Sequence, residues 1–282
     1  MPLLSSLAVA ALAVAPIGQS SLPTPVRAYR DQAVFSTAPP NTKTFTLQLA
    51  DKSGVHALAA EDRRPLEADV SRGPDGKPIV IVAQTRAIYS IDPAGGSRRR
   101  LHTTHDAAHS PVIWGNRLAW IEGRDRVYTA VLGQKAERVP TPRGRIVEIN
   151  LFGGELALTL NGGTVADNTQ VWLQELDGSR RRLLRKVAIG EASRSFVGLS
   201  FDGGALYFAQ VCSGDPSGCP GHGVAYRYKA GKLTTASVPL DLGGFAQAAG
   251  TSYWVTQHFG DCLDDEGATA PCVIERDQLR FR

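Results

Sequence analysis

The sequence has no internal apolar run near the roughly 20 residues a bilayer-spanning helix needs. It also has no strong excess of either charge: 31 basic residues against 27 acidic ones leave +4 over 282 residues. So modest a balance does not point to nucleic acid or to a membrane surface. Several catalytic motifs are missing too. There is no Gly-x-Ser-x-Gly elbow, no His-Glu-x-x-His and no glycine-rich phosphate loop before a helix. No stretch is left over for a separate hydrolase domain. Carboxylate-based glycoside chemistry has no fixed sequence spacing and stays open on motif grounds.

The first seven residues contain no Lys or Arg. Leu3 to Ile17 is nevertheless a Leu-, Ala- and Val-rich run, broken by Pro16 and followed by Gly18, Gln19, Ser20 and Ser21. That pattern reads as the apolar core and small-residue end of an export leader over residues 1–21. The mature chain is then expected to be secreted or periplasmic and to lack a membrane span. No cysteine lies near the leader to take a lipid anchor.

Cysteine is scarce, with four in all. Cys212 and Cys219 form one close pair and Cys262 and Cys272 another, each in a Gly-, Pro-, Asp- and Ser-rich segment. In an exported chain this favours disulfides, and pairing within each loop is the simplest of the three connectivities. Neither pair has the tight spacing of a structural zinc knuckle.

Glycine, by contrast, is abundant at 29 residues, and it is periodic. A small-residue turn, an apolar strand, a loop, a strand bearing an aromatic and a second turn recur at intervals of roughly 40 to 50 residues. The first turn is Asp75-Gly76, Gly115-Asn116, Gly153-Gly154, Asp202-Gly203 and Gly250-Thr251, pairs that tolerate positive φ. Each is followed by a strand apolar on both faces: Ile79 to Ala83, Leu118 to Ile121, Leu156 to Leu160, Ala205 to Ala209 and Tyr253 to Val255. Continuous apolar strands imply cover on both sides, which neighbouring blades of a propeller supply. The aromatic position holds Phe45, Tyr89, Tyr128, Trp172 and Tyr226, with Ile274 in the last unit.

Four strands per period make this an all-β chain, a β-propeller of four-stranded antiparallel blades. The blades are expected at about 26–60, 65–104, 108–141, 144–188, 194–239 and 243–282, a six-bladed single domain over 26–282. The last blade's outer strand is expected at Leu279 to Phe281, with the ring closed by face packing alone. A β-sandwich would also space short strands regularly, without a repeating four-strand register.

The segment Gly73-Pro74-Asp75-Gly76-Lys77, then Ile79 to Ala83, Ile88-Tyr89-Ser90-Ile91-Asp92 and Gly95-Gly96, resembles the TolB-like, WD40-like (PD40-type) repeat. Leu199 to Tyr228 repeats it more loosely. The resemblance implies a partner-binding propeller outside the cytoplasm, although a fold-level likeness does not transfer the partner itself.

Strand alternation places the loops between second and third strands on one rim with the connections between blades. The long loops Gln210 to His222 and Gln257 to Pro271 carry the cysteine pairs. His102, His105 and His109 lie in the connection from the second to the third blade. With Asp215, His222, His258, Asp261, Asp264 and Asp265 they form the candidate binding rim. The His105 to His109 interval would align two ligands only on a helix, and the acidic loop lacks the ligand alternation of a calcium loop. The triplets Arg98-Arg99-Arg100 and Arg180-Arg181-Arg182 begin outer strands, where charge discourages edge-to-edge pairing. The chain is thus expected to be a monomeric, non-enzymatic binding or scaffolding module for a protein, peptide or glycan, with no cofactor, metal or nucleic acid. The alternative is an extracellular carbohydrate-active hydrolase or lyase using rim carboxylates or a metal.

Overall fold

A computed structural model describes residues 15–39, 42–94, 97–161, 169–187, 194–212, 222–240, 242–256 and 271–282. Among these, every regular element is a strand. The first, β1 (Ala15–Ser20), precedes blade one, which is β2 (Arg27–Tyr29), β3 (Gln32–Thr37), β4 (Phe45–Asp51) and β5 (Gly54–Asp62). Blade two is β6 (Glu67–Arg72), β7 (Pro78–Gln84), β8 (Ala87–Ile91) and β9 (Arg98–Thr103). Blade three is β10 (Ala108–Trp114), β11 (Arg117–Glu122), β12 (Arg126–Val131) and β13 (Glu137–Val139). Blade four is β14 (Arg145–Phe152), β15 (Glu155–Asn161), β16 (Thr169–Glu175) and β17 (Arg182–Lys186). Blade five is β18 (Arg194–Asp202), β19 (Ala205–Cys212), β20 (Gly223–Lys229) and β21 (Lys232–Val238). Blade six is β22 (Leu242–Ala248), β23 (Thr251–Thr256) and β24 (Cys272–Asp277). Its fourth strand is β1, hydrogen-bonded to β24.

All six sheets are four-stranded and antiparallel, and in the first five strand order follows chain order. The architecture is a six-bladed β-propeller. Its phase matches the sequence repeat: each apolar run is a second strand, and each aromatic marker lies on a third. The reason is visible in β7. Val80 and Val82 face blade one with Val34 and Leu47, while Ile81, between them, faces blade three with Ile113 and Trp120. Alternate residues of one strand therefore enter two different cores, and both faces must be apolar. Burying one such side chain contributes roughly 1.5–3 kcal/mol. One core of this kind lies between every two neighbouring blades, the last joining blade six to blade one through Phe35, Tyr253 and Ile274.

Two expectations need correction. The outer strand of blade six is β1, not Leu279 to Phe281, so the ring is closed by the first described strand pairing with the last. Chain closure of this kind satisfies the backbone edge that face packing alone would leave open. Leu279 and Phe281 instead pack on the core between blades five and six, with the Phe281 ring 5.4 Å from that of Tyr207. Arg282 exchanges backbone hydrogen bonds of 2.9 and 3.1 Å with Thr235 of β21. Second, two hairpin turns sit one residue from their expected places. The β18–β19 turn is Gly203-Gly204, both at positive φ, and the β22–β23 turn is Ala249-Gly250.

The arginine triplets lie at outer strands as expected, and they also hold aromatic rings. Arg98 sits over Tyr89 at 3.6 Å, and Arg182 of blade four donates to the Tyr228 hydroxyl of blade five.

Candidate functional site

Two polar regions stand out, one on the axis and one on the rim. The axis is lined by the first strands of the blades. Those of blades three, four, five and six each carry a bulge, between His109 and Val112, Ile146 and Glu148, Val197 and Ser200, and Leu242 and Gly244. A bulge frees backbone N–H groups from the ladder, and a buried N–H needs an acceptor. The preceding blade supplies it. Glu148 of blade four accepts from Gly198 and Leu199 of blade five at 2.9 and 3.0 Å. Glu67 of blade two accepts from the amide of Ser110 in blade three, and Asp69 accepts from Ile113 at 3.2 Å. Ser200 likewise accepts from Gln247 of blade six at 3.0 Å.

Arg27, 4% exposed on β2, crosses this centre. It pairs with Glu148, donates to the Leu199 carbonyl at 2.7 Å and to the Ile149 carbonyl at 3.3 Å, and reaches the Ser110 hydroxyl at 3.2 Å. One guanidinium thus ties blade one to blades three, four and five, which its planar fork of five donors suits. Burial pushes the Asp69 carboxyl up to about 6, against the opposing pull of Arg27 and of the Ile113 amide.

The rim region lies where β9 passes to β10. Glu122, at the end of β11, is 1% exposed and anchors that connection. It accepts from the Trp120 indole at 2.9 Å and from the backbone amides of His105 and Asp106 at 3.4 Å. Asp106 in turn pairs with Arg126, and the His109 ring donates to the Gly123 carbonyl at 2.7 Å. The connection bends at His105 and Asp106 and is not helical, so the helical alignment of His105 with His109 does not arise. Above Glu122 lies a cavity of about 210 Å³ whose walls include His102, His105, Trp120, Tyr128 and Lys135. The His102 ring covers Trp120 at 4.7 Å. Burial holds the His102 imidazole below its ordinary value, with Glu122 pulling the other way and His105 adding to the depression. The side chains of His102, His105 and Lys135 have no hydrogen-bond partner among the described residues, which leaves their donors for a ligand.

Of the expected rim residues, the structure brings His102 and His105 together. His109 is tied to the β11–β12 loop, and His222 is exposed on blade five, three places round the ring. Asp215, His258, Asp261, Asp264, Asp265, Cys219 and Cys262 lie outside the described residues. Cys212 and Cys272, buried at strand ends on that same rim, carry no free thiol. Among the described residues no three His, Cys, Asp or Glu side chains are grouped to hold a metal, and no helix is long and apolar enough to cross a membrane. Sequence reasoning missed Glu122, Trp120 and the whole axial set. A charged residue inside an apolar second strand, as in Leu118 to Glu122, was the available signal for the first.

The fold and these two regions define a six-bladed β-propeller. No family model and no curated protein matches the chain. Solved structures do. A chain in the crystal structure of a nidogen/laminin complex superposes with a TM-score of 0.52 at 15% identity, covering 79% of this chain and 84% of its own. Oligogalacturonate lyase in complex with manganese gives 0.52 at 13%, covering 86% and 80%. A puromycin hydrolase mutant complexed with PGG gives 0.51 at 12%, covering 84% of this chain and 50% of the hydrolase. These likenesses concern the fold.

Proposed function

We propose that this propeller is an exported, non-enzymatic binding or scaffolding module whose partner, a protein, peptide or glycan, is read on the rim. The observation that carries this reading is the division of labour among polar groups. On the axis, Glu67, Asp69 and Glu148 each hold a backbone amide of the next blade, and Arg27 holds Glu148 and three further groups. Groups so engaged serve the ring. On the rim, His102, His105 and Lys135 face a cavity whose volume of about 210 Å³ suits one side chain or one sugar ring.

The Pro-Asp-Gly turn of blade two supports the TolB-like reading. Asp75 accepts from the Lys77 amide at 3.0 Å, and Gly76 takes a φ of +80°. Disulfides pairing Cys212 with Cys219 and Cys262 with Cys272 would stiffen the second part of the same rim, and such loops on a rigid scaffold are usual binding elements. The neighbours include a lyase and a hydrolase, so the fold alone selects no activity.

The test is a peptide and glycan array probed with the intact chain and with the His105→Ala, Lys135→Ala double variant. Loss of the wild-type signal in a variant of unchanged melting temperature supports the reading. An unchanged signal removes this cavity from it.

A further inference from the structure

We infer that the outer edge of blade five, β21, is a docking site at which an extended, acidic peptide segment adds a strand to the sheet. This surface lies apart from the rim cavity and does not depend on the rim reading. A bare strand edge is a template for pairing with another chain, and proteins blunt such edges with bulges, short strands or charge. The six outer strands of this ring are treated unequally. β13 has only three residues. β5, β9, β17 and β1 each break register against the strand inside them, between Thr46 and Gln48, Ile88 and Tyr89, Val171 and Trp172, and Pro16 and Gly18. β21 alone is both long and regular: all seven residues from Lys232 to Val238 pair in unbroken register with Lys229 to Gly223.

The chain itself demonstrates that this edge accepts a strand. Thr235 and Arg282 exchange both backbone hydrogen bonds, at 2.9 and 3.1 Å, as an antiparallel pair does. Outward-facing backbone groups alternate along a strand, so the N–H and C=O of Leu233 and Ser237 face outward too. Among the described residues the tail makes no further backbone bond to β21. Beside the edge lies a cavity of about 430 Å³ whose lining includes Val224, Thr235, Ala236, Ser237, Arg280 and Arg282. Leu233, 36% exposed, adds an apolar side chain on the face that carries Thr235 and Ser237.

Charge selects the occupant. Arg227, Lys229 and Lys232 on the β20–β21 hairpin and Arg280 and Arg282 on the tail are accompanied by no Asp or Glu within 222–240 or 278–282. Lys229, Lys232, Arg280 and Arg282 make no ion pair among the described residues. A second copy of this edge would set these cations against their like, which opposes pairing. A strand with carboxylates at alternate positions meets the opposite condition. Its backbone bonds Leu233 and Ser237, and its acids face Arg280 and Arg282, whose planar forks suit carboxylates. Leu279 and Phe281 anchor the tail in the core between blades five and six. The incoming strand therefore displaces only the two bonds between Arg282 and Thr235.

The test titrates the intact chain, by calorimetry at low salt, with a peptide of about eight residues that alternates Glu and Thr and is blocked at both ends. Its Gln-for-Glu counterpart is the control. Binding is expected for the Glu peptide, weakened about tenfold for the Gln peptide and for the Arg280→Ala, Arg282→Ala variant, as loss of two exposed ion pairs gives. Ser237→Pro removes an outward N–H and leaves the inward ladder intact, so it should weaken binding at an unchanged melting temperature. Amide exchange at Leu233 and Ser237 should slow at saturating peptide. The His105→Ala, Lys135→Ala variant should bind this peptide like wild type, which separates failure of this site from failure of the rim. No binding by the wild-type chain overturns the inference. So does binding with unchanged exchange at Leu233 and Ser237, the behaviour of an anion held by diffuse charge alone; this readout decides even where the Pro variant melts lower.

Discussion

The axis and the rim between blades two and three use the same residue types to opposite ends. On the axis, carboxylates accept from bulge amides, Arg27 bridges across the channel, and the donors and acceptors match within 3.3 Å. On the rim, a single buried carboxylate, Glu122, holds the connection, and the side chains around it keep their donors. The difference lies in what the backbone demands. Four first strands are bulged and need acceptors, so acid at the axis answers a structural need, whereas nothing in the ladder needs His102, His105 or Lys135.

The comparison can be broken most severely at Gly198. Its φ is +73°, and a Cβ would meet the Phe245 carbonyl oxygen at 2.0 Å. Gly198→Ala should cost more than about 4 kcal/mol, an exceptional value for one methyl group, or prevent folding; denaturant titration measures it. Arg27→Met comes next. It leaves the partly buried Glu148 without its cation and the buried carbonyls of Ile149 and Leu199 without their donor, at about 3 kcal/mol, the low end for breaking a buried pair. A variant as stable as wild type would show that the axis is not held in this way.

Asp69 sharpens the comparison through pH. Its folded value of about 6 lies above the ordinary 3.8. Between these values the folded state holds the proton that the unfolded state has released. Stability is therefore full below about pH 4 and falls as pH rises to about 6, by an amount on the order of 3 kcal/mol for a fully buried group. Melting temperatures from pH 4 to 7 should show this slope, and Asp69→Asn should flatten it. The smallest stability effect is expected on the rim, where His105→Ala with Lys135→Ala should stay within about 0.5 kcal/mol of wild type.

Much of the blade structure was legible because its cause is local. Turn glycines and doubly apolar second strands follow from hairpin geometry and from cover on both sides, and these placed the blades to within a few residues. Ring closure was not legible. β1 is short, begins in an apolar run that also reads as a leader, and pairs with a strand more than 250 residues away. The axial network was hidden for a related reason. Arg27, Glu67, Glu148 and Gly198 come from four blades, and no spacing in the chain relates them. The rim was half legible: histidines in a connection suggested a site, but their neighbour Glu122 looked like the end of a strand.

The central claim, that the axis holds the ring and the rim recognises the partner, is tested most directly by comparing two variants on one peptide and glycan array. The account predicts that His105→Ala, Lys135→Ala loses the wild-type signal at an unchanged melting temperature. It also predicts that Arg27→Met keeps the wild-type pattern at a lowered one. A pattern abolished by Arg27→Met while folded, and untouched by the rim variant, would place recognition on the axis and contradict it.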